Sequence, residues 1–455
     1  NRAESSIMDP ETTDMEQDVH SRRRGKLGGN VMKQFQEMNR EELQAEYDKL
    51  SQVYAGHQAK KLKLNMARGK PGADQLELSQ PILDVFNSKS DCISEGGVDC
   101  RNYGELLGIP EARKLFADYM GVSPEETIVV GSSSLTFMYD CMSRAMLMGV
   151  LGGDRPWCRY DKVKFLCPVP GYDRHFTICE ALGVEMINVP LTEWGPDMDL
   201  VEKLVAEDET IKGIWCVPKY TNPLGGSYSD EAVRRLAALK PAAHDFRIFW
   251  DNAYAGHHVY EDTVVLNILD ECKKAGSPDM AYIFGSTKIT FPGAGVAFFG
   301  ASKANVDFTA KQLGAQSISW DKLNMLRHVR FFKNADGIWA QLDRHAALLR
   351  PKFDAVLTAL ERELGGTGAG TWVKPKGGYF VTYIAMPGCA KRIVALCREA
   401  GVVLTDAGAT HPYHKDPDDS YIRLAPSYPS PEELAQAMEV FCTAAKLAVA
   451  EKLLA

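Results

Sequence analysis

Several short stretches place chemically loaded side chains directly behind runs of β-branched and aromatic residues. Lys288 closes "YIFGSTK", where an apolar run ends in Gly285, Ser286 and Thr287. An amine partly desolvated at such a strand end has its pKa lowered from about 10.4, which makes it a nucleophile and base near neutrality. Lysines in such settings condense with carbonyl ligands. Asp251 ends "RIFWD", a run so apolar that an unpaired carboxylate there would cost several kcal/mol, so a cation or a hydrogen-bond shell must be near. Tyr254 lies three residues further on. Asn222, fixed by Pro223 in "TNPLGG", either offers its amide to a ligand oxygen or does turn work alone. In "VPGYDRH", Tyr172 is a flat face for stacking or a core tyrosine, with His175 nearby. In "GSSSL", Ser133, Ser134 and the Leu135 amide open a helix, where hydroxyls and backbone N–H groups hold an anion or simply cap.

Together these form a phosphate cradle, a stacking ring, an amide and phenol for a ring oxygen, a buried carboxylate and an amine. Pyridoxal 5'-phosphate (PLP) needs all of them. Its aldehyde would meet Lys288, its phosphate the serine loop, and Asp251 would keep its ring nitrogen protonated so that the ring acts as an electron sink. At an effective dielectric near 20, a carboxylate about 3 to 4 Å from a pyridinium is worth roughly 4 to 5 kcal/mol, enough to decide the ring's charge.

The elements that must position these groups follow from the hydrophobic pattern. "TIVV" (127–130), "KFLCP" (164–168), "EMINV" (185–189), "GIWCV" (213–217), "RIFWD" (247–251), "AYIFG" (281–285) and "VAFFG" (296–300) are each followed by a loop and an amphipathic stretch. This alternation predicts an α/β fold, a mostly parallel sheet with helices on both faces. Ligands of such sheets bind beyond the carboxyl ends of the strands, where the loaded residues fall. Ser229 reads as the N-cap of "SDEAVRRLAAL". Residues 33–66 and 321–364 read as helical, "GGTGAG" (365–370) as a break, and "YFVTYI", "AKRIVALCREAG" and "YIRLA" as parts of a smaller α+β domain. The expected organisation is a disordered, polar N-terminal tail at 1–30, an arm at 31–100 contributing to the small domain, a PLP-binding large domain at 101–345 and the C-terminal small domain at 346–455.

A chain of 455 residues is long enough for two or three domains. The net charge of −8 gives no reason to expect nucleic acid or an anionic membrane as a partner. No apolar run approaches the roughly 20 residues needed to span a bilayer. Eleven scattered cysteines without a CxxC pair read as buried thiols of a reducing compartment. A cytoplasmic location is the expectation; because the chain starts with Asn and carries "SRRRGK", organellar import stays open, although the upstream acids argue against a transit peptide. His257 and His258 diverge if placed on a strand and no carboxylate spacing completes a metal site.

Over about residues 60–445 the sequence resembles the fold-type I PLP-dependent aminotransferases, and most of all the divergent bacterial-type aspartate aminotransferases. Asn222-Pro223-Leu224-Gly225 matches the N-P-x-G turn, and Asp251 with Tyr254 matches D-x-x-Y. "PGYDRH" resembles the segment with the ring-stacking aromatic, here Tyr172, and a histidine behind the aspartate, here His175. The resemblance implies further roles. In "NYGELLGIPEAR", Tyr103 would reach the phosphate of a neighbouring subunit, which implies a homodimer with shared active sites. In "SYIRLAPSYPSPEEL", Arg423 would bind the substrate α-carboxylate bidentately. In "ARGKPGADQLELS", a loop would close over substrate near Gly69 and Lys70.

Two departures stand out. The family's lysine usually follows serine as S-x-S-K or S-x-x-K, whereas Ser286-Thr287-Lys288 is one residue shorter; and "ITFPGAGVAFF" carries no phosphate-binding arginine after the lysine, so hydroxyls, amides or another cation must serve. The expected reaction is amino transfer between an amino acid and a 2-oxo acid, aspartate and 2-oxoglutarate first. Those dicarboxylates need a second cation, and "DKLNMLRHVRFF" (321–332) offers Asn324, Arg327, His328 and Arg330, which equally suit a solvated basic face. The alternatives are an aromatic or kynurenine-type aminotransferase, a PLP lyase or synthase, and a PLP-binding regulator without catalysis.

Overall fold

The structure, a computed structural model, describes residues 33–455, so the expected tail at 1–30 lies outside the described residues. Its largest sheet has eight strands, in the order Thr127–Val130, Ala297–Gly300, Ala281–Ser286, Arg247–Asp251, Ile211–Cys216, Lys164–Val169, Glu185–Thr192 and Gly195–Pro196. The five strands from Ala281–Ser286 to Glu185–Thr192 are mutually parallel. Successive side chains of these strands enter opposite cores: Ile248, Trp250 and Ile283 pack on one face, Phe249, Tyr282 and Phe284 on the other. Burial on both faces explains why the strands read as continuous apolar runs rather than as alternating ones.

The run "VAFFG" departs from the βα pattern, because Ala297–Gly300 is antiparallel to both its neighbours. The chain has only residues 287–296 in which to return from the preceding strand, too few for the crossover that a parallel pair requires. The lysine loop is therefore a tight return between adjacent strands. Thr127–Val130, antiparallel to Ala297–Gly300 in its turn, points the same way as the parallel strands, which brings the serine loop to their carboxyl edge.

Helices cover both faces. Ser229 accepts a hydrogen bond from the Ala232 amide and caps Asp230–Ala237, as its sequence suggests. The stretch read as one helix over 33–66 is a short 3-10 turn at Phe35–Glu37 and a helix at Arg40–Ala59; after it, Leu64–Asn65 pairs with Val402–Val403. The helix Arg40–Ala59 packs on the long terminal helix Pro431–Leu454, and Phe35, Leu43, Leu50 and Tyr54 share one core with Phe353, Tyr383, Leu424 and Phe441. In the same region Gly370–Trp372, Val381–Ala385 and Tyr421–Leu424 form an antiparallel sheet. Among the described residues no helix is long and apolar enough to cross a membrane, and all eleven cysteines are free thiols.

Candidate active site

A cavity of about 540 Å³ opens at the carboxyl edge of the large sheet and is walled on its far side by the antiparallel sheet. Lys288, Asp251, Tyr254, Asn222, Tyr172, Ser133, Ser134, Leu135, Ser286, Arg423, Gly69 and Lys70 all line it. These residues span more than 350 positions of the chain, yet the strand ends bring them to one place.

Lys288 follows the strand Ala281–Ser286 and reaches into the cavity between two aromatic rings. Its Nζ lies 4.1 Å from the Tyr254 ring centroid and 4.9 Å from that of Tyr379. Burial pushes the ammonium down to about 8, and the negative charge of Asp251 only partly opposes this. The two rings help to hold what charge remains. An amine in this state is a fraction neutral at physiological pH and free to act as nucleophile and base.

Asp251 is 2% exposed and has found the partner that its strand demanded. His175 Nε2 donates to Asp251 Oδ2 at 2.9 Å, and the Ala253 amide donates to Oδ1 at 3.2 Å. The imidazole is itself fixed by stacking on Trp215, with centroids 4.3 Å apart and planes 7° from parallel. Tyr172 packs edge-on against His175 and faces the cavity. Burial raises the phenols of Tyr172 and Tyr254 above their ordinary range, which keeps both protonated and able to donate.

Arg423 rises from the strand Tyr421–Leu424 and is only 7% exposed. One terminal nitrogen donates to Asp173 Oδ1 at 3.0 Å and to Asn222 Oδ1 at 3.2 Å; the other donates to Thr405 Oγ1 at 3.3 Å. The guanidinium lies 4.7 Å from the Phe380 ring centroid, and its Nε has no partner. The guanidinium is thus held by three polar partners at the cavity wall, and the second hydrogen of the nitrogen that meets Thr405 remains uncommitted. The loop at 67–70 is tied beside it, with Thr405 Oγ1 donating to the Ala67 carbonyl at 2.5 Å and Ser427 Oγ to the Lys70 carbonyl at 2.9 Å. Gly69 has no room for a side chain: a Cβ there would lie 2.5 Å from the Phe380 ring.

The helix Ser134–Met148 begins at the cavity wall, with Ser133 as its N-cap. Ser133 makes no side-chain cap bond, so its hydroxyl and the first-turn amides are available to an anion at the positive end of the helix. Arg68 and Arg174 also line the cavity as cationic side chains.

The geometry of this wall matches what PLP requires. Open hydroxyls at a helix N-terminus suit a phosphate, the Asp251 carboxylate offered to the cavity by His175 suits a protonated ring nitrogen, Tyr172 supplies a flat face, and Lys288 supplies the amine.

A family model for aspartate amino-transferase matches residues 38–455. The chain belongs to that family. A Mycolicibacterium smegmatis protein is 47% identical over 423 residues, covering 92% of this chain and 99% of its own. The aspartate aminotransferase of Corynebacterium glutamicum is 42% identical over 413 residues, covering 90% of this chain and 94% of the relative. The crystal structure of an aspartate transaminase from Corynebacterium glutamicum superposes with a TM-score of 0.89 at 41% identity, over 92% of this chain and 99% of that one. This member of the aspartate amino-transferase family is therefore a fold-type I, PLP-dependent transaminase acting on amino and 2-oxo acids.

One expected site residue lies elsewhere. Asn324 does not line the cavity: its amide donates to the carbonyls of Ala294 and Gly295 at 3.1 and 2.9 Å, and is consumed there. Its neighbours on the helix Lys322–Phe332 are also engaged, His328 with Thr287 and Thr290, and Arg330 with the Asp91 carbonyl. Tyr103 is 75% exposed on the surface and lines no part of this cavity. Conversely, Tyr379, Phe380, Asp173, Thr405 and Trp215 hold the functional groups in place and were not singled out from the sequence. Asp173 directly follows Tyr172, and "GGYF" (377–380) sits at the head of an apolar run, so adjacency was the available signal for both.

Proposed function

We propose that this aminotransferase binds PLP in the cavity at the sheet edge and moves the amino group of aspartate to 2-oxoglutarate. The observation that carries this reading is one cavity lined by a lysine depressed to about 8, a buried carboxylate fixed by histidine, and an arginine held at its wall. Bound PLP supplies the electron sink for the charge left when a substrate Cα–H bond breaks. Lys288 would hold the cofactor through its amine and would serve as the base for the proton of the substrate Cα. Asp251, held by His175, would keep the ring nitrogen protonated. Tyr172 would offer its flat face to the ring, and Asn222 and Tyr254 would supply donors to it. Ser133, Ser134, the Leu135 amide and Ser286 take the phosphate side, and Arg423 takes the α-carboxylate.

The cationic lining at Arg68, Lys70 and Arg174 favours a dicarboxylate donor over an aromatic one, because a second carboxylate needs a second positive partner. The loop at Gly69 and Lys70 closes over the bound acid. Tyr103, exposed on the surface, reaches the phosphate of a second copy in a homodimer. The test is a panel of amino donors with 2-oxoglutarate on PLP-loaded protein. Aspartate should give the highest kcat/KM. A preference for tyrosine, phenylalanine or kynurenine would move the assignment to the aromatic type, and product formed without any 2-oxo acid would indicate a lyase.

A further inference from the structure

The loop that presents Lys288 is gripped from behind by a histidine that touches no part of the cavity. His328 is 1% exposed. Its Nδ1 lies 2.8 Å from the Asn324 carbonyl one helical turn earlier, so that nitrogen carries the hydrogen and donates. Nε2 is left as a lone pair, and the hydroxyls of Thr287 and Thr290 lie 3.2 and 3.0 Å from it. Burial holds this imidazole down to about 4, so it stays neutral wherever the enzyme would work.

Thr287 also closes the neck of the loop. Its amide donates to the Val296 carbonyl at 2.8 Å, and its Oγ1 accepts from the Val296 amide at 2.8 Å. On the far side the Thr290 hydroxyl donates to the Thr287 carbonyl at 2.8 Å, and Asn324 holds the carbonyls of Ala294 and Gly295. The neck leaves no slack: a Cβ on Gly295 would stand 3.1 Å from Thr287 Oγ1 and 3.2 Å from the Ser132 carbonyl.

These contacts bear on where Lys288 points. The strand ends at Ser286 and the chain turns through Lys288, closed by the Thr290 amide donating to the Thr287 carbonyl at 3.0 Å. Thr287 is 2% exposed and turned toward His328, whereas Ser286 and Lys288 on either side of it line the cavity. We propose that His328 is a positioning residue which, by accepting the Thr287 hydroxyl's hydrogen on the inner side of the loop, turns Lys288 into the cavity. The role rests on the aminotransferase reading of Lys288, and the test keeps the two separable.

The variants are Thr287→Val, which keeps shape and removes the hydroxyl; His328→Phe, which keeps a ring and removes the acceptor; and His328→Gln, which restores an acceptor. The PLP-loaded proteins are treated with borohydride, and the cofactor trapped on the Lys288 peptide is measured by mass spectrometry alongside kcat and KM. A misplacement of about 1 Å costs on the order of 100-fold in rate. Thr287→Val and His328→Phe should therefore lose about 10- to 100-fold in kcat and trap less cofactor. KM for the amino donor should stay within about threefold, since Arg423 is untouched, and His328→Gln should recover most of the loss. Wild-type kcat and trapping in both Thr287→Val and His328→Phe would overturn the proposal. So would losses that match the fall in folded protein by circular dichroism and are not relieved in His328→Gln. If the wild-type protein traps PLP on Lys288 but transfers no amino group, the function is misassigned, while the trapping comparison still decides the role of His328. Should His328→Phe not fold, Thr287→Val carries the same comparison.

Discussion

Replacing Lys288 by methionine should make the cofactor-free protein more stable at pH 7, although it removes the central nucleophile. Burial between the rings of Tyr254 and Tyr379 lowers the amine from 10.5 to about 8. A tenfold change in a protonation equilibrium is worth about 1.4 kcal/mol, so this fall corresponds to about 3 kcal/mol held against folding. The amine keeps contact with solvent through the cavity mouth, which returns part of that cost, and we expect about 1 to 3 kcal/mol. The sign follows from proton counts. The folded state sheds the proton at about 8, whereas the unfolded chain keeps it to about 10.4. Between those values the unfolded state binds more protons, so wild-type stability gains with rising pH across that window. Methionine has no proton to lose, so the variant's advantage should be full below pH 8 and shrink toward zero above about 10.5. Urea or thermal melts of both cofactor-free proteins at pH 7, 9 and 10.5 measure the difference, and taking the difference cancels the titration of every other group. A variant less stable than wild type at pH 7, or an offset that does not change with pH, would refute the reasoning.

Two further substitutions read other parts of the wall. Asp251→Asn removes the charge that His175 offers to the cavity; a carboxylate at about 4 Å is worth roughly 4 kcal/mol at an effective dielectric of 20, so kcat should fall by about three decades while the protein still binds cofactor. Arg423→Lys keeps the charge but cannot hold Asp173, Asn222 and Thr405 together with a carboxylate; losing one charge-assisted hydrogen bond at about 2 kcal/mol should raise KM for aspartate roughly 30-fold, with a smaller effect on kcat, in steady-state assays.

The parts of the site legible in the sequence are those whose position one strand dictates. Asp251 and Lys288 each follow an unbroken apolar run, and strands buried on both faces announce themselves that way, so their ends could be read as one chemical edge. What stayed hidden depends on which surfaces meet. Phe380 lines the cavity beside Arg423 and buried Tyr379 packs against Lys288, both from the wall formed by the antiparallel sheet, and no local pattern says which residues of one element face another. Helical periodicity likewise placed Asn324 and His328 on a helix but could not tell the face toward the ligand from the face toward the Lys288 loop; the structure turns them to the loop. The antiparallel return of Ala297–Gly300 was within reach, because the ten-residue connection is too short for a crossover.

The most direct test of the account is the fate of labelled nitrogen. PLP-loaded protein is given nitrogen-labelled aspartate and unlabelled 2-oxoglutarate, and the glutamate formed is analysed by mass spectrometry. Label should appear in glutamate with wild-type protein and not above background with Lys288→Ala; unlabelled glutamate with wild type, or undiminished transfer without Lys288, would contradict amino transfer through Lys288.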